Sequence, residues 1–84
     1  MKLKQLSPGQ EAIIRKCSKN IPLKLIEMGL TEGQKVRKIA HVPLGGADIY
    51  KVGNSLIAID EQLSDEIEVT QPSPSNAASV NENA

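Results

Sequence analysis

The sequence predicts a small, mainly β domain: a barrel of five or six short strands with one short α-helix inserted. Three observations carry this reading. The apolar content is aliphatic and rich in β-branched residues, with nine Ile, eight Leu and five Val, and β-branched side chains favour strands. Turn signals made of Gly, Pro, Asn and Ser recur about every 8 to 12 residues, the spacing of short strands in a barrel or sandwich. The foldable part is only about 70 residues long, which favours a barrel: it needs no second sheet, and closure leaves little strand edge exposed.

The elements follow in order. Leu3 and Leu6 precede the turn Ser7-Pro8-Gly9. Ala12, Ile13 and Ile14 mark a strand ending near Cys17, and Ser18-Lys19-Asn20 is a loop. Pro22 suits the first turn of a helix, where its missing N–H has no partner to lose. Leu25 and Met28 follow at helical spacing, with Ile21 or Leu23 on the same side. Gly29 stops the helix, because Gly takes the left-handed position after a C-cap without a Cβ penalty, and Leu30 packs back. A helix of about two turns depends on tertiary contacts.

Thr31-Glu32-Gly33 turns the chain into a strand from about Gln34 to Val42. Its apolar residues Val36, Ile39 and Val42 fall three apart, which a β-bulge reconciles with a strand. A helix is the competing reading; the Val and Ile content and the closing Pro43 favour the strand. Pro43-Leu44-Gly45-Gly46 is a loop, Ile49 to Val52 a strand, and Gly53-Asn54 a turn. Ile57-Ala58-Ile59 alternates in the next strand, Asp60-Glu61-Gln62-Leu63 makes a helical turn, and Ile67 and Val69 alternate in the last strand. Residues 71–84 hold one isolated Val80 among polar and small residues, too little to offset the entropy of ordering. The expected organisation is one domain over residues 1–70 and a disordered polar tail over 71–84.

Composition narrows the chemistry. The 84 residues include one Cys, one His and one aromatic residue, Tyr50. A disulfide needs two cysteines, and a structural zinc site needs about four Cys or His ligands. No run approaches the ~18 apolar residues of a membrane span, and the N-terminus lacks the apolar stretch of a secretory signal. The expected compartment is the cytoplasm, with no direct membrane insertion. The zero net charge hides a split: residues 1–38 carry nine basic and three acidic side chains, a net of +6, and residues 39–70 a net of −5.

Three segments line up in order: Leu6-x-Pro8-Gly9, then Leu25-Ile26-Glu27-Met28-Gly29-Leu30-x-x-Gly33, then Pro43-Leu44-Gly45-Gly46 ahead of Ile57-Ala58-Ile59 and Ile67-x-Val69. Together they resemble the FeoA family, the small ferrous iron transport protein A of bacteria, over residues 1 to about 70. The resemblance implies an SH3-like β-barrel with a helix inserted after the second strand. It further implies a cytoplasmic accessory role in ferrous iron uptake, with the cytosolic GTP-binding region of the permease FeoB as partner. The same barrel also ends metal-dependent transcriptional regulators, where it follows a DNA-binding domain. Family members commonly carry Pro soon after the Pro-Leu-Gly turn, where this chain has Gly46-Ala47-Asp48. Without that ring the loop is expected to be more flexible.

No catalytic residues are expected. Cys17 and His41 fall on predicted strands as possible neighbours, and Cys17 also reads as a small core residue. The glycines give no phosphate-binding motif, so no nucleotide cofactor is expected. Asp60, Glu61, Asp65 and Glu66 cluster near the last turn and would attract a divalent ion only weakly; a solvated acidic edge accounts for them, and no metal site is assigned. Nucleic acid is not an expected partner, since single-strand readers use aromatic platforms and only Tyr50 is available. The alternative function is a metal-sensing or nucleic-acid-binding module.

The partner-binding surface expected from the sequence combines Met28, Gly29 and Leu30 with Pro43, Leu44, Gly45 and Gly46. Met28, Gly29 and Leu30 also serve as helix cap and core. Leu44 has two readings: an exposed docking contact in a Gly-bounded loop, or a plug in the end of the barrel.

Overall fold

The computed structural model describes residues 1–72. A 3₁₀ turn over Leu3–Gln5 precedes β1 (Glu11–Lys16), α1 (Leu23–Glu27), β2 (Lys35–His41), β3 (Ala47–Val52), β4 (Ser55–Asp60), α2 (Glu61–Ser64) and β5 (Glu68–Val69). The expected polar tail lies outside the described residues beyond position 72.

The strands form one antiparallel sheet in the order β4-β3-β2-β1-β5. The expected closed barrel is therefore an open ladder, with β4 and β5 at its ends. The reason lies at the N-terminus, which occupies the outer edge of β5. Lys2 bridges Glu68, the Leu3 N–H donates to the Ile67 carbonyl at 2.8 Å, and the Val69 N–H donates to the Met1 carbonyl at 2.8 Å. A two-residue strand flanked by β1 and by the N-terminal segment has no edge left for β4. Leu3 and Leu6, placed by that segment, join Ile14, Leu30, Val36, Ile59, Ile67 and Val69 in the core.

α1 follows the first strand of the ladder and not the second, because the N-terminal segment folds as a 3₁₀ turn instead of a strand, and it begins one position later than expected. Pro22 is the N-cap, extended at ψ 138°, and its carbonyl accepts from the Leu25 N–H at 3.0 Å. Ile21 is buried and Leu23 faces solvent, which settles which of them shares the inner side with Leu25 and Met28. Gly29 stands at φ +108°. Its N–H donates to the Ile26 carbonyl and the Leu30 N–H to the Leu25 carbonyl, the paired bonds of a Schellman ending.

β2 carries the bulge that its apolar spacing requires. Lys38 pairs with Tyr50 and Ala40 with Ile49, so Ile39 is the extra residue. Its faces differ from the apolar spacing, however: Val36 and Lys38 are buried, while Ile39 and Val42 are exposed. The bulge also shifts parity. Opposed residues share a face, so without it Ala40 would stand opposite Asp48; with it His41 does.

Lys38, 4% exposed, enters the core beside Tyr50. Its Nζ lies 3.0 Å from Asp48 Oδ2, donates to the Lys4 carbonyl at 3.1 Å, and sits 5.6 Å from the centre of the Tyr50 ring. Asp48 Oδ1 meets His41 Nδ1 at 2.7 Å and accepts from the Val42 N–H at 3.3 Å. The Tyr50 hydroxyl is buried without a hydrogen bond. Burial pushes its pKa up, the Asp48 charge adds to this, and the Ser64 hydroxyl opposes it without reaching bonding geometry. For Asp48, burial works against ionisation, but the Lys38 and His41 bonds, the Lys38 charge and the Val42 N–H outweigh it and hold the carboxyl below its ordinary value.

Two predictions follow from this network. Lys38→Met leaves the Asp48 carboxylate without its cation, so the domain should lose about 3 kcal/mol in urea unfolding; a loss under ~1 kcal/mol would show the pair to be dispensable. Asp48 is more acidic folded than unfolded, so its contribution is present at neutral pH and disappears as pH falls below about 4. Asp48→Asn should therefore show a smaller loss of stability between pH 5 and pH 2.5 than the wild type, with pH-resolved denaturation as the measurement.

Candidate functional site

The loop between β2 and β3 is built by the network just described. Asp48, first held by Lys38, takes the Val42 N–H and the His41 ring and so ties the two ends of the loop together. The Gly45 N–H closes a tight turn on the Val42 carbonyl at 3.2 Å, and the Glu61 N–H reaches across from α2 to the Gly46 carbonyl at 2.8 Å. Gly45 is required by space: a Cβ there would lie 2.6 Å from Val42 Cγ1. These bonds anchor the stretch Gly46-Ala47-Asp48.

Leu44 stands at the tip. It is fully exposed, at 107% of the reference area, which removes the reading of it as a plug. It is also the one non-glycine residue with positive φ among those described, at +63°. A left-handed backbone costs an L residue about 1–2 kcal/mol, and an exposed Leu recovers none of that by burial. The loop holds an apolar side chain in water at a conformational cost. Below it lies a shallow cleft lined by His41, Val42, Leu44, Gly46, Ala47, Asp48 and Glu61.

Pro43, Leu44, Gly45 and Gly46 are all exposed in this one loop. The other expected segment lies elsewhere. Leu30 is 1% exposed and belongs to the core, Met28 packs against it, and Gly29 lies against Val52. Val52 ends β3 and Ala47 begins it, so the two segments flank opposite ends of a strand, about 16 Å apart along its length. They do not form one patch. Asp48, the residue that holds the loop, escaped the sequence reading; its signal was a carboxylate two residues beyond Gly46, at the start of a strand.

The remaining candidates are occupied separately. Cys17 and His41 lie at opposite ends of the β1–β2 ribbon, so these two possible neighbours are apart. Burial, then the Glu32 charge, push the Cys17 thiol up, away from the reactive thiolate. Asp60 caps α2 by accepting from the Leu63 N–H at 2.7 Å, and Asp65 lies 3.4 Å from Lys4. Among the described residues no three His, Cys, Asp or Glu side chains converge on one point, and no helix is long and apolar enough to cross a membrane.

Comparison with known proteins identifies the framework. The FeoA domain family matches residues 1–71. The solution structure of iron(II) transport protein A from Clostridium thermocellum superposes with a TM-score of 0.72 at 35% identity, over 82% of this chain and 44% of that one. This chain thus spans less than half of that protein's length. The crystal structure of an iron uptake regulatory protein, FeoA, superposes at 0.69 with 30% identity, over 82% of this chain and 92% of that one. Stenotrophomonas maltophilia FeoA in complex with zinc, a prokaryotic SH3 domain protein, superposes at 0.64 with 25% identity, over 83% and 89%. No curated protein matches the sequence. With its whole described sheet inside the matched region, the chain belongs to the FeoA family, the small SH3-like proteins associated with ferrous iron transport.

Proposed function

We propose that this chain is a cytoplasmic accessory protein of bacterial ferrous iron uptake that docks, through the Pro43–Gly46 loop, on the cytosolic GTP-binding region of a FeoB-like permease. The observation that carries this reading is Leu44, an apolar side chain held fully in water on a strained backbone. Strain retained without a return in stability points to a function for the residue that bears it. Gly45 and the Asp48 anchor fix the direction in which Leu44 projects. The loop therefore meets a partner already shaped, and binding costs little ordering entropy. α1 and Gly29 serve mainly as helix ending and core, and a partner reaching them would span the sheet. The chain acts by contact and not by catalysis, and any nucleotide chemistry belongs to the permease. The family's association with iron supports the partner class. The nucleic-acid alternative loses support, because the only aromatic side chain, Tyr50, is fully buried and no base can stack on it.

Calorimetry with the cytosolic domain of the permease tests this. Binding should appear in at least one nucleotide state; absence in all of them, with the chain folded, counts against the partner. Leu44→Asp should weaken binding at least about tenfold, the scale of a desolvated anchor, with unfolding stability unchanged. Leu44→Gly should weaken binding too, while stabilising the domain by about 1 kcal/mol through relief of the positive φ. Affinity unchanged by both substitutions would remove Leu44 from the interface.

A further inference from the structure

The cations of the described residues divide into those with an ion-pair partner and those without. Lys2 pairs with Glu68, Lys4 with Asp65 and Lys38 with Asp48. Lys35 and Lys51 have no ion-pair partner among the described residues, and both line a groove of about 530 Å³ on the outer face of the sheet, with Glu11, Arg37 and Ile39. The arrangement is electrostatically unfavourable on its own. Arg37 and Lys51 stand directly opposite each other on β2 and β3, and like charges in opposed positions repel. Glu11, opposite Arg37 from the β1 side, relieves one of them only: its Oε2 accepts from Arg37 Nε at 3.2 Å and from Nη2 at 3.0 Å.

We propose that this groove binds an extended acidic peptide segment, with carboxylates at alternate positions set against Lys35 and against the opposed pair Arg37 and Lys51. The spacing selects the ligand. Lys35 and Arg37 are two apart on one strand, so their side chains leave the same face about 6.7 Å apart, the repeat of alternate side chains in any extended peptide. Ile39, exposed in the groove, and Leu56, 63% exposed and opposite Lys51, offer apolar surface to the methylenes of the peptide's acidic side chains, while the intervening residues point away from the sheet. A nucleic acid would find phosphate contacts but no stacking surface. The groove shares no lining residue with the cleft beneath Leu44, so this inference stands independently of loop docking.

The test is a titration of the full chain with two fluorescent heptapeptides of equal composition, Glu-Val-Glu-Val-Glu-Val-Glu and a block isomer with its four Glu together. The alternating peptide should bind about fivefold tighter, and both should weaken as salt rises. Lys35→Glu and Lys51→Glu should each cost about tenfold, with fold verified by circular dichroism. Glu11→Gln should tighten binding severalfold by freeing Arg37, a gain that a purely structural role for Glu11 does not produce. Equal affinity for the two peptides, no gain from Glu11→Gln, or tighter binding of an eight-nucleotide oligothymidylate would each overturn the proposal. No permease enters the experiment, so its failure leaves the docking of the loop unaffected.

Discussion

The ion pair between Lys38 and Asp48 is the interaction on which the rest of the domain depends. Removing two charges from water costs several kcal/mol per ion, and a domain this small has little stability to spare. The cost is offset because few bonding sites are left empty. Lys38 Nζ meets a carboxylate, the Lys4 carbonyl and the face of Tyr50; Asp48 meets Lys38, His41 and the Val42 N–H. An aliphatic pair of the same volume would be as stable or more so. What the ion pair adds is geometry: it joins the N-terminal turn to β2 and β3, and it holds the register on either side of the bulge at Ile39.

That geometry runs outward to the surface. Lys38 holds Asp48, Asp48 holds the start of the loop at Val42, and the turn closed by Gly45 lifts Leu44 into solvent. A buried interaction thus specifies an exposed side chain that contributes nothing to the core. Local strain at functional positions is sustained when the surroundings over-determine the conformation, and here three bonds and one steric limit do so. In the proposed docking role, stability and recognition are in mild opposition at Leu44, as they often are where a site is held ready.

The charge split along the chain has a structural use beside the recognition use proposed for it. The basic N-terminal residues lie against the acidic stretch near β5, with Lys2 on Glu68 and Lys4 on Asp65. Such exposed pairs contribute about 0–1 kcal/mol each; they orient the N-terminal segment along β5, while backbone bonds and the burial of Leu3 hold it there. That segment is what keeps the ladder open. Lys35 and Lys51, which have no ion-pair partner among the described residues, line a groove with Arg37, where repulsion between Arg37 and Lys51 is only partly relieved.

The sequence by itself determined the elements and their order. Gly, Pro and Asn mark turns through their own backbone limits, so the ends of α1 and the Gly53-Asn54 hairpin were readable locally, as was the need for a bulge in β2. The family segments were legible for the same reason, since they are the turns and caps themselves. Only the tertiary structure decided which side of each strand faces inward. A Lys between Val36 and Ile39 reads as solvated until a carboxylate from β3 comes to meet it, and the extra residue at Ile39 sends that apolar side chain outward and sets His41 opposite Asp48. The exposure of Leu44 and the separation of its loop from Gly29 were likewise settled by partners far along the chain. Face and proximity are properties of pairing, and pairing is non-local.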